Sequence, residues 1–477
     1  FESGENGKLL GELYKILPKE IITDNATAEI LREEFESYKL VQNSVINIID
    51  KIIKDAENFI KDYFRIVSLE SYGITGKNGA VNCCAMLLEY ILELHNYGEL
   101  PFKKLSYVNS EKYMELNFST QRNLELTALN SRDSGTEGTL LWVIDSTKTA
   151  MGGRMLKKNI KKPLIDIAEI EKRLNHTSYF ITNIIEREEV KEELKNIYDI
   201  ERLIGKIVLG TENGRDLIAI KKSCESVLKI KEILSDKSFF EFSEFKIREI
   251  AEKIERAVVE EPPFSIREGG IIKGGISSEL DELHRISANG KEMLLEIEVK
   301  ERERTGIKSL KVRYNKVFGY YIEISNSNRE MIPDDYIRKQ TLSNAERFVT
   351  AELKEYEAKI LTAKERIEAI EYEIFKELTR EIAGSIEVLQ QCADETAYVD
   401  MILSFSECSV RNGYIRPELT QDYELVIEEG RHPIVEKLIG HNSFVKNGIE
   451  MKQDERFIIL TGPNMAGKST YMRQNAL

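Results

Sequence analysis

"LKEYEAKILTAKERIEAIEYEIFKEL", residues 353–378, is the stretch whose reading decides the fold. Leu353, Tyr356, Ile360, Ala363, Ile367, Ile370, Ile374 and Leu378 recur at steps of three and four. That spacing is a narrow apolar seam of the coiled-coil kind. The helical pattern runs on to residue 409, with no proline and with Gly384 as its one interruption. At 1.5 Å per residue, a helix over 351–409 would span roughly 80–90 Å. An antiparallel partner is predicted upstream in "SSELDELHRISANGKEMLLEIEVKERERTG", residues 277–306.

Between these arms, residues 307–350 change character. "SLKVRYNKVFGYYIEISNSN" alternates β-branched and aromatic residues with polar ones and ends in a turn-rich tail. A long helix leads out, a small β unit caps it and a longer helix leads back, which makes a small domain on a stalk. Upstream, from about 113, "IAEIEKRLNHTSYFITNIIE" and "DLIAIKKSCESVLKIKEIL" carry helical spacing with charged outer faces. Residues 1–112 mix short apolar runs with helical patterns, as in "KLLGELYKIL", the β-rich "YFRIVSL" and the helix-like "AVNCCAMLLEYILELH". Past 410, "GYIRPEL", "YELVIEEGRHPIV" and "RFIIL" read as strands and turns of a new domain. The fold class predicted is multidomain and mainly α, with an α/β start, a helical core, long antiparallel helices and a small β-rich unit.

Composition sets the bounds. At 477 residues the chain exceeds one ordinary core, so three to five domains are expected. No apolar run approaches the ~20 residues a membrane span needs. The chain opens on Phe1 with no signal pattern, and both ends read as cut, so a fragment is expected. Cys83, Cys84, Cys224, Cys392 and Cys408 form no CxxC pair, which suits a reducing cytoplasm. The five histidines include no HExxH arrangement, so no histidine metal site is expected. A net charge of −14 argues against a uniformly basic nucleic-acid coat but leaves room for a local patch. Residues 302–348 supply one, with ten Lys or Arg against six Asp or Glu. Lys308, Lys311, Arg313 and Lys316 sit in or beside the β segment, and Arg338, Lys339 and Arg347 follow. Such a cluster suits phosphate contacts, which position a duplex without reading its sequence. A second basic run, Arg154 to Lys162 beside "TAMGG", could be taken for another phosphate site; the resemblance given below implies a structural role instead.

"FIILTGPNMAGKST", residues 457–470, carries the chemistry. A strand predicted over Phe457–Leu460 enters a tight loop, and a helix follows. Gly462 and Gly467 allow the curvature and the close approach of backbone to phosphate. Lys468 supplies a cation for the β- and γ-phosphates, and the Ser469 hydroxyl is a Mg²⁺ ligand. Gly462, Pro463, Asn464, Met465, Ala466, Gly467, Lys468, Ser469 and Thr470 are therefore the nucleotide-binding candidates, with ATP or ADP and Mg²⁺ as cofactors. Hydrolysis needs an acidic residue on a second strand and a group to orient water, both expected downstream of the loop. The chain as given is expected not to turn ATP over alone.

The loop's Pro-Asn-Met and the following Lys-Ser-Thr-Tyr-Met-Arg-Gln closely resemble the MutS family of DNA mismatch-repair ATPases. The resemblance continues in order along the chain. It is carried by "TQRNLELT" (120–127), "GTLLWVIDSTKTAMGGRMLKKNIKKPL" (138–164), "DIERLIGKI" (199–207), "YNKVFGYYIEIS" (314–325), "QTLSNAERFVTAELKEYE" (340–357), "YIRPEL" (414–419) and "RHPIVE" (431–436). It implies a connector remnant at 1–112, a helical core with the outgoing lever at 113–291 and a DNA clamp at 292–351. A returning lever at 352–415 and the start of a P-loop ATPase domain at 416–477 complete it. Phe444 matches an aromatic that stacks on adenine. The resemblance further implies mismatch-containing double-stranded DNA as ligand, a homodimer, a MutL-type partner and a nucleoid-associated cytoplasmic protein. The family's mismatch-reading Phe-x-Glu finds literal matches at Phe242-Ser-Glu244 and Phe405-Ser-Glu407, both read as coincidences within helical patterns. Two alternatives stand beside this. One is a MutS paralogue acting on recombination intermediates or stalled translation. The other is a structural coiled-coil P-loop ATPase, disfavoured because its loop would precede the coil.

Overall fold

The computed structural model describes residues 9, 12, 13, 16 and 18–477, except 39–43, 50–52, 73, 95–104, 106–111, 130–134, 316–318, 343, 441–442 and 464–465. The chain divides into two compact units, residues 1–195 with 394–477 and residues 196–393. It is mainly helical with small sheets.

The first unit begins as a β-α-β turn. β1 (Glu20–Thr23) and β2 (Val45–Ile48) pair in parallel across helix α1 (Asn25–Tyr38). Helices α2 (Ala56–Phe64) and α3 (Asn78–Leu94) share a small apolar core of Ile60, Leu69, Ala85 and Leu88. The β-rich look of "YFRIVSL" is overruled here. Tyr63 and Phe64 finish α2, and Arg65 closes it in the left-handed conformation, turning the rest into a loop.

Helix α4 (Phe118–Asn123) is followed by α5 (Leu140–Ile144), α6 (Ala150–Lys161), α7 (Ile167–Thr182) and α8 (Ile184–Leu194). The "TAMGG" stretch starts α6, and its logic is local. Thr149 caps the helix by accepting from Gly152 N, while Asp400 accepts from Lys148 N, Thr149 N (2.8 Å) and Thr149 Oγ1 (2.7 Å). A carboxylate of the chain itself thus fills the anion-favouring helix start. A Cβ at Gly152 would collide with that carboxylate, so only glycine fits. Lys161 is buried, and burial brings its ammonium down to about 8 with help from Lys157. Asp400 thus occupies the start of the helix and Lys161 is buried, while Arg154, Lys157 and Lys158 of the second basic run are exposed.

The second unit holds α9 (Ile200–Leu209), α10 (Gly214–Ile233), α11 (Glu244–Ala257), α12 (Ser278–Thr305) and α13 (Ala351–Ala383). A reciprocal capping box between Asn213 and Asp216 opens α10. Between α12 and α13 lies an antiparallel sheet of order β3-β4-β6-β5. Its strands are β3 (Lys311–Asn315), β4 (Gly319–Ser325), β5 (Ile337–Thr341) and β6 (Ala345–Val349). Ile322, Ile324 and Phe348 of the sheet pack on Leu294 and Ile297 of α12 and Leu353 of α13. The helix-out, sheet, helix-back arrangement predicted from periodicity is present.

Two details of the long arm differ from the prediction. The helix over 351–409 is broken after Ala383, and α14 (Ile386–Asn412) starts afresh. Gly384 N donates to both Arg380 O and Glu381 O, and Ser385 N donates to Ile382 O, so the bonding tightens from i−4 to i−3. Glycine's poor helix propensity places the break there. The seam also drifts. Leu353, Ala363, Ile367 and Leu378 are buried as expected, but the buried row also takes in Glu371, Phe375 and Ile382, leaving Ile370 and Ile374 half-buried. A 3.6-residue helix rotates away from a 3.5-residue repeat, and here the buried face follows the helix. The buried Glu371 carboxylate accepts from Ile271 N at 3.1 Å and faces His284 Nε2 at 3.4 Å.

Beyond α14, β7 (Leu425–Gly430), α15 (Pro433–Ile439), β8 (Asn447–Met451) and α16 (Lys468–Ala476) return to the first unit. β7 and β8 pair antiparallel with a bulge between Ile427 and Gly430. "GYIRPEL" carries no regular element. In "RHPIVE", Arg431 Nη1 pairs with Glu436 Oε1 at 2.9 Å, and Nη2 donates to Asn412 O at 3.0 Å. Pro433 pre-sets the first turn of α15. Lys437 of α15 donates to Trp142 O and lies 3.8 Å from the centroid of that indole on α5.

Candidate nucleotide and nucleic-acid sites

At the phosphate loop, the two glycines hold backbone that other residues avoid, φ +154° at Gly462 and +85° at Gly467. Gly467 is the N-cap of α16 and supplies no side-chain cap. The first-turn N–H groups of α16 therefore have no intrahelical acceptor and sit at the positive end of the helix dipole. Lys468 Nζ donates to Gly462 O, folding the cation across the mouth of the loop. Ser469 is exposed and Thr470 half-buried, while Pro463 and Ala466 are exposed. Asn464 and Met465 lie outside the described residues.

The strand predicted over Phe457–Leu460 is not formed. Those residues have no regular secondary structure, and Phe457 is 84 % exposed. A strand requires a hydrogen-bonding neighbour, and among the described residues β7 and β8 pair with each other. Helix α16 is instead seated on β8, through Tyr471 Oη to Gly448 O (2.8 Å) and Gln474 Nε2 to Asn447 O (3.1 Å). Phe444 is half-buried three residues before β8.

On the other side of α16 is a cavity of about 690 Å³, whose walls include Glu125, His432, Ser469, Thr470 and Arg473. Arg473 Nη1 lies 3.5 Å from Glu125 Oε2. Burial, and then the Arg473 charge, holds His432 below the ordinary imidazole range. The motifs that carry the family resemblance contain Glu125 and His432 and run up to Arg473, yet they give none of the three a role. Nothing in local spacing relates residue 125 to residue 473.

The four-stranded sheet carries the second set of candidates. Register places Lys311 opposite Glu323, and Glu323 opposite Arg347, in one cross-strand row. Arg313 Nη1 is 3.6 Å and Arg347 Nε 3.7 Å from Glu323. Arg347 also lies over the Tyr321 ring at 4.4 Å and donates to Gln340. Lys311, Arg313 and Arg347 thus gather on one face around a single carboxylate. Arg338 does not join them. It pairs in register with Phe348 and bonds Glu346 at 3.2 Å, because the bulge between Arg338 and Gln340 turns it to the opposite face. Lys308 and Lys339 are exposed, and Lys316 lies outside the described residues. The two Phe-Ser-Glu matches are explained internally. Phe242 is buried, and Glu407 is ion-paired to Lys191 and Lys148.

The family profile described as MutS domain III matches residues 119–406. Proteins named DNA mismatch repair protein MutS are similar along nearly the whole chain. The one from Fusobacterium nucleatum subsp. nucleatum is 46% identical over 478 residues, covering 98% of this chain and 53% of the relative. Those from Methanosarcina barkeri and Acetivibrio thermocellus are 42% and 41% identical, covering 100% and 98% of this chain and 54% of each relative. The chain spans about half the length of the curated relatives it matches. With the profile match and this continuous similarity added to the glycine-bounded loop and the sheet between paired helices, the chain belongs to the MutS family.

Proposed function

We propose that this chain provides the frame, the DNA-contacting sheet and the nucleotide loop of an ATP-dependent DNA mismatch-repair protein. One observation carries the reading. A phosphate loop at an uncapped helix start and a basic sheet between two long helices occur in one chain, whose relatives bear the mismatch-repair name. The N–H groups opening α16 hold the nucleotide phosphates, and Lys468 exchanges its Gly462 carbonyl for them. Ser469 offers its exposed hydroxyl to Mg²⁺, which when bound neutralises phosphate charge. Phe444 is the adenine-stacking candidate, supported by the family pattern. Lys308, Lys311, Arg313, Lys316, Arg338, Lys339 and Arg347 are the candidate DNA contacts, with Lys311, Arg313 and Arg347 as the face that gathers. Positioning a duplex through its phosphates and answering with ATP hydrolysis is the activity of the intact protein. That protein acts as a homodimer with a MutL-type partner.

Lys468→Ala in the intact protein tests the nucleotide half. The side chain is bonded to loop backbone and not to a packed core, so the melting temperature should stay within a degree or two. MgATP binding should weaken by about tenfold or more, since the phosphates no longer meet the ammonium charge. Wild-type ATP affinity and turnover in a folded variant would refute the assignment.

A further inference from the structure

We propose that Glu125 is a positioning residue for the nucleotide loop: its carboxylate holds Arg473 and so fixes α16, and with it Ser469, against the helical core. This rests on the reading of residues 462–470 as a nucleotide site. The geometry begins at the end of α4. Glu125 N donates to Arg122 O and Leu126 N to Gln121 O, a helix-closing turn that puts Glu125 at φ +49°. Glycine is the usual occupant of that position, because a Cβ crowds the neighbouring carbonyl. A glutamate held there against its backbone preference points to work done by the side chain. The side chain reaches Arg473 at 3.5 Å.

The backbone of the same residue is anchored in the core. Glu125 O accepts from Leu140 N at 3.2 Å and Leu126 O accepts from Leu141 N at 2.9 Å, fixing the turn to the start of α5. Among the described residues a cavity, not close packing, separates this part of α16 from the turn. The cavity is lined by Leu124, Glu125 and Leu129 of the turn and by Ser469, Thr470 and Arg473 of α16, and the Glu125–Arg473 pair joins these two sets of lining residues. Arg473 follows Ser469 by four residues, so it lies one helical turn further along the same face. A rotation of α16 that moved Ser469 would therefore carry Arg473 away from Glu125. With side chains 45 % and 24 % exposed, the pair adds little to overall stability and acts through orientation.

Glu125→Gly in the intact protein separates the two roles, since it removes the carboxylate and relaxes the turn. The melting temperature should hold or rise, while MgATP affinity falls by about two- to fivefold, the worth of a partly exposed ion pair. MgATP should slow amide exchange at Leu140 and Leu141 in the wild type and fail to do so in Glu125→Gly. Glu125→Arg combined with Arg473→Glu should recover the affinity. Unchanged affinity together with retained slowing at Leu140 and Leu141 would overturn the proposal. Lys468→Ala tells this failure from the broader one. If it alone loses MgATP, only the role of Glu125 falls, and if it too binds normally the nucleotide site itself is wrong. Should Glu125→Gly fail to fold, Glu125→Gln carries the same two measurements.

Discussion

Glu407 sits where two lysines converge, Lys191 Nζ at 2.6 Å and Lys148 Nζ at 3.2 Å. Burial pushes its carboxyl up, but the hydrogen bonds from Lys191 and Lys148 outweigh that and hold it below the ordinary range. The folded pKa is thus lower than the ~4.3 of the unfolded chain, so the stabilisation is complete above that value. It is lost as pH falls through the folded pKa. Glu407→Gln should cost about 2 kcal/mol at pH 7, the worth of a charged hydrogen bond in a buried setting. Thermal melts at successively lower pH should narrow the gap between variant and wild type as the Glu407 carboxyl takes up its proton. A gap that does not narrow in acid would contradict the ion-pair account. None of this was legible locally, since Lys148 and Glu407 are 259 residues apart. The same holds for Gly152, whose need for glycine comes from Asp400 and not from its own helix.

At the scale of elements, the sequence was most reliable where a repeat was long. The paired helices α12 and α13 and the alternation of β3 and β4 follow from side-chain period alone. The seam departs from its sequence pattern after Ile367 because the buried face follows the 3.6-residue helix and takes in Glu371 and Phe375. Apolar residues at 370 and 374 kept the three-four rhythm going while the helix itself turned towards Glu371 and Phe375. Phe375 is fully buried, so Phe375→Ala should cost about 3–5 kcal/mol through reduced burial and a cavity. Ile370→Ala, at a half-buried position, should cost about 1–2 kcal/mol. Urea melts of the two variants distinguish the seams, and a larger destabilisation in Ile370→Ala would restore the uninterrupted one. The phosphate loop was legible in its glycines and its helix, whereas the strand before it was not. Glycine requirements and helix starts are local, but a strand depends on its neighbour.

For the whole molecule, duplex binding by the sheet face makes an electrostatic claim that salt can test. For an acidic chain of net charge −14 the proposed duplex contact needs a local field, and Lys311, Arg313 and Arg347 around Glu323 are its candidate source. Lys311→Ala with Arg313→Ala should weaken matched and mismatched duplex by similar factors. The slope of log affinity against log salt should flatten by about 0.9 for each phosphate that is no longer neutralised. Weakening confined to mismatched duplex would mean that this face reads bases. The order of segments along the chain was legible because each carries its own pattern, while the hydrogen bonds of Arg431 to Asn412 and Gly413 arise only once the chain is folded. One such tertiary pairing reaches beyond stability. Trp142, beneath Lys437, is the single tryptophan among 477 residues. The indole fluorescence of the entire chain is therefore written by one ring, and its colour and quenching read the seating of α15 on α5 without any label.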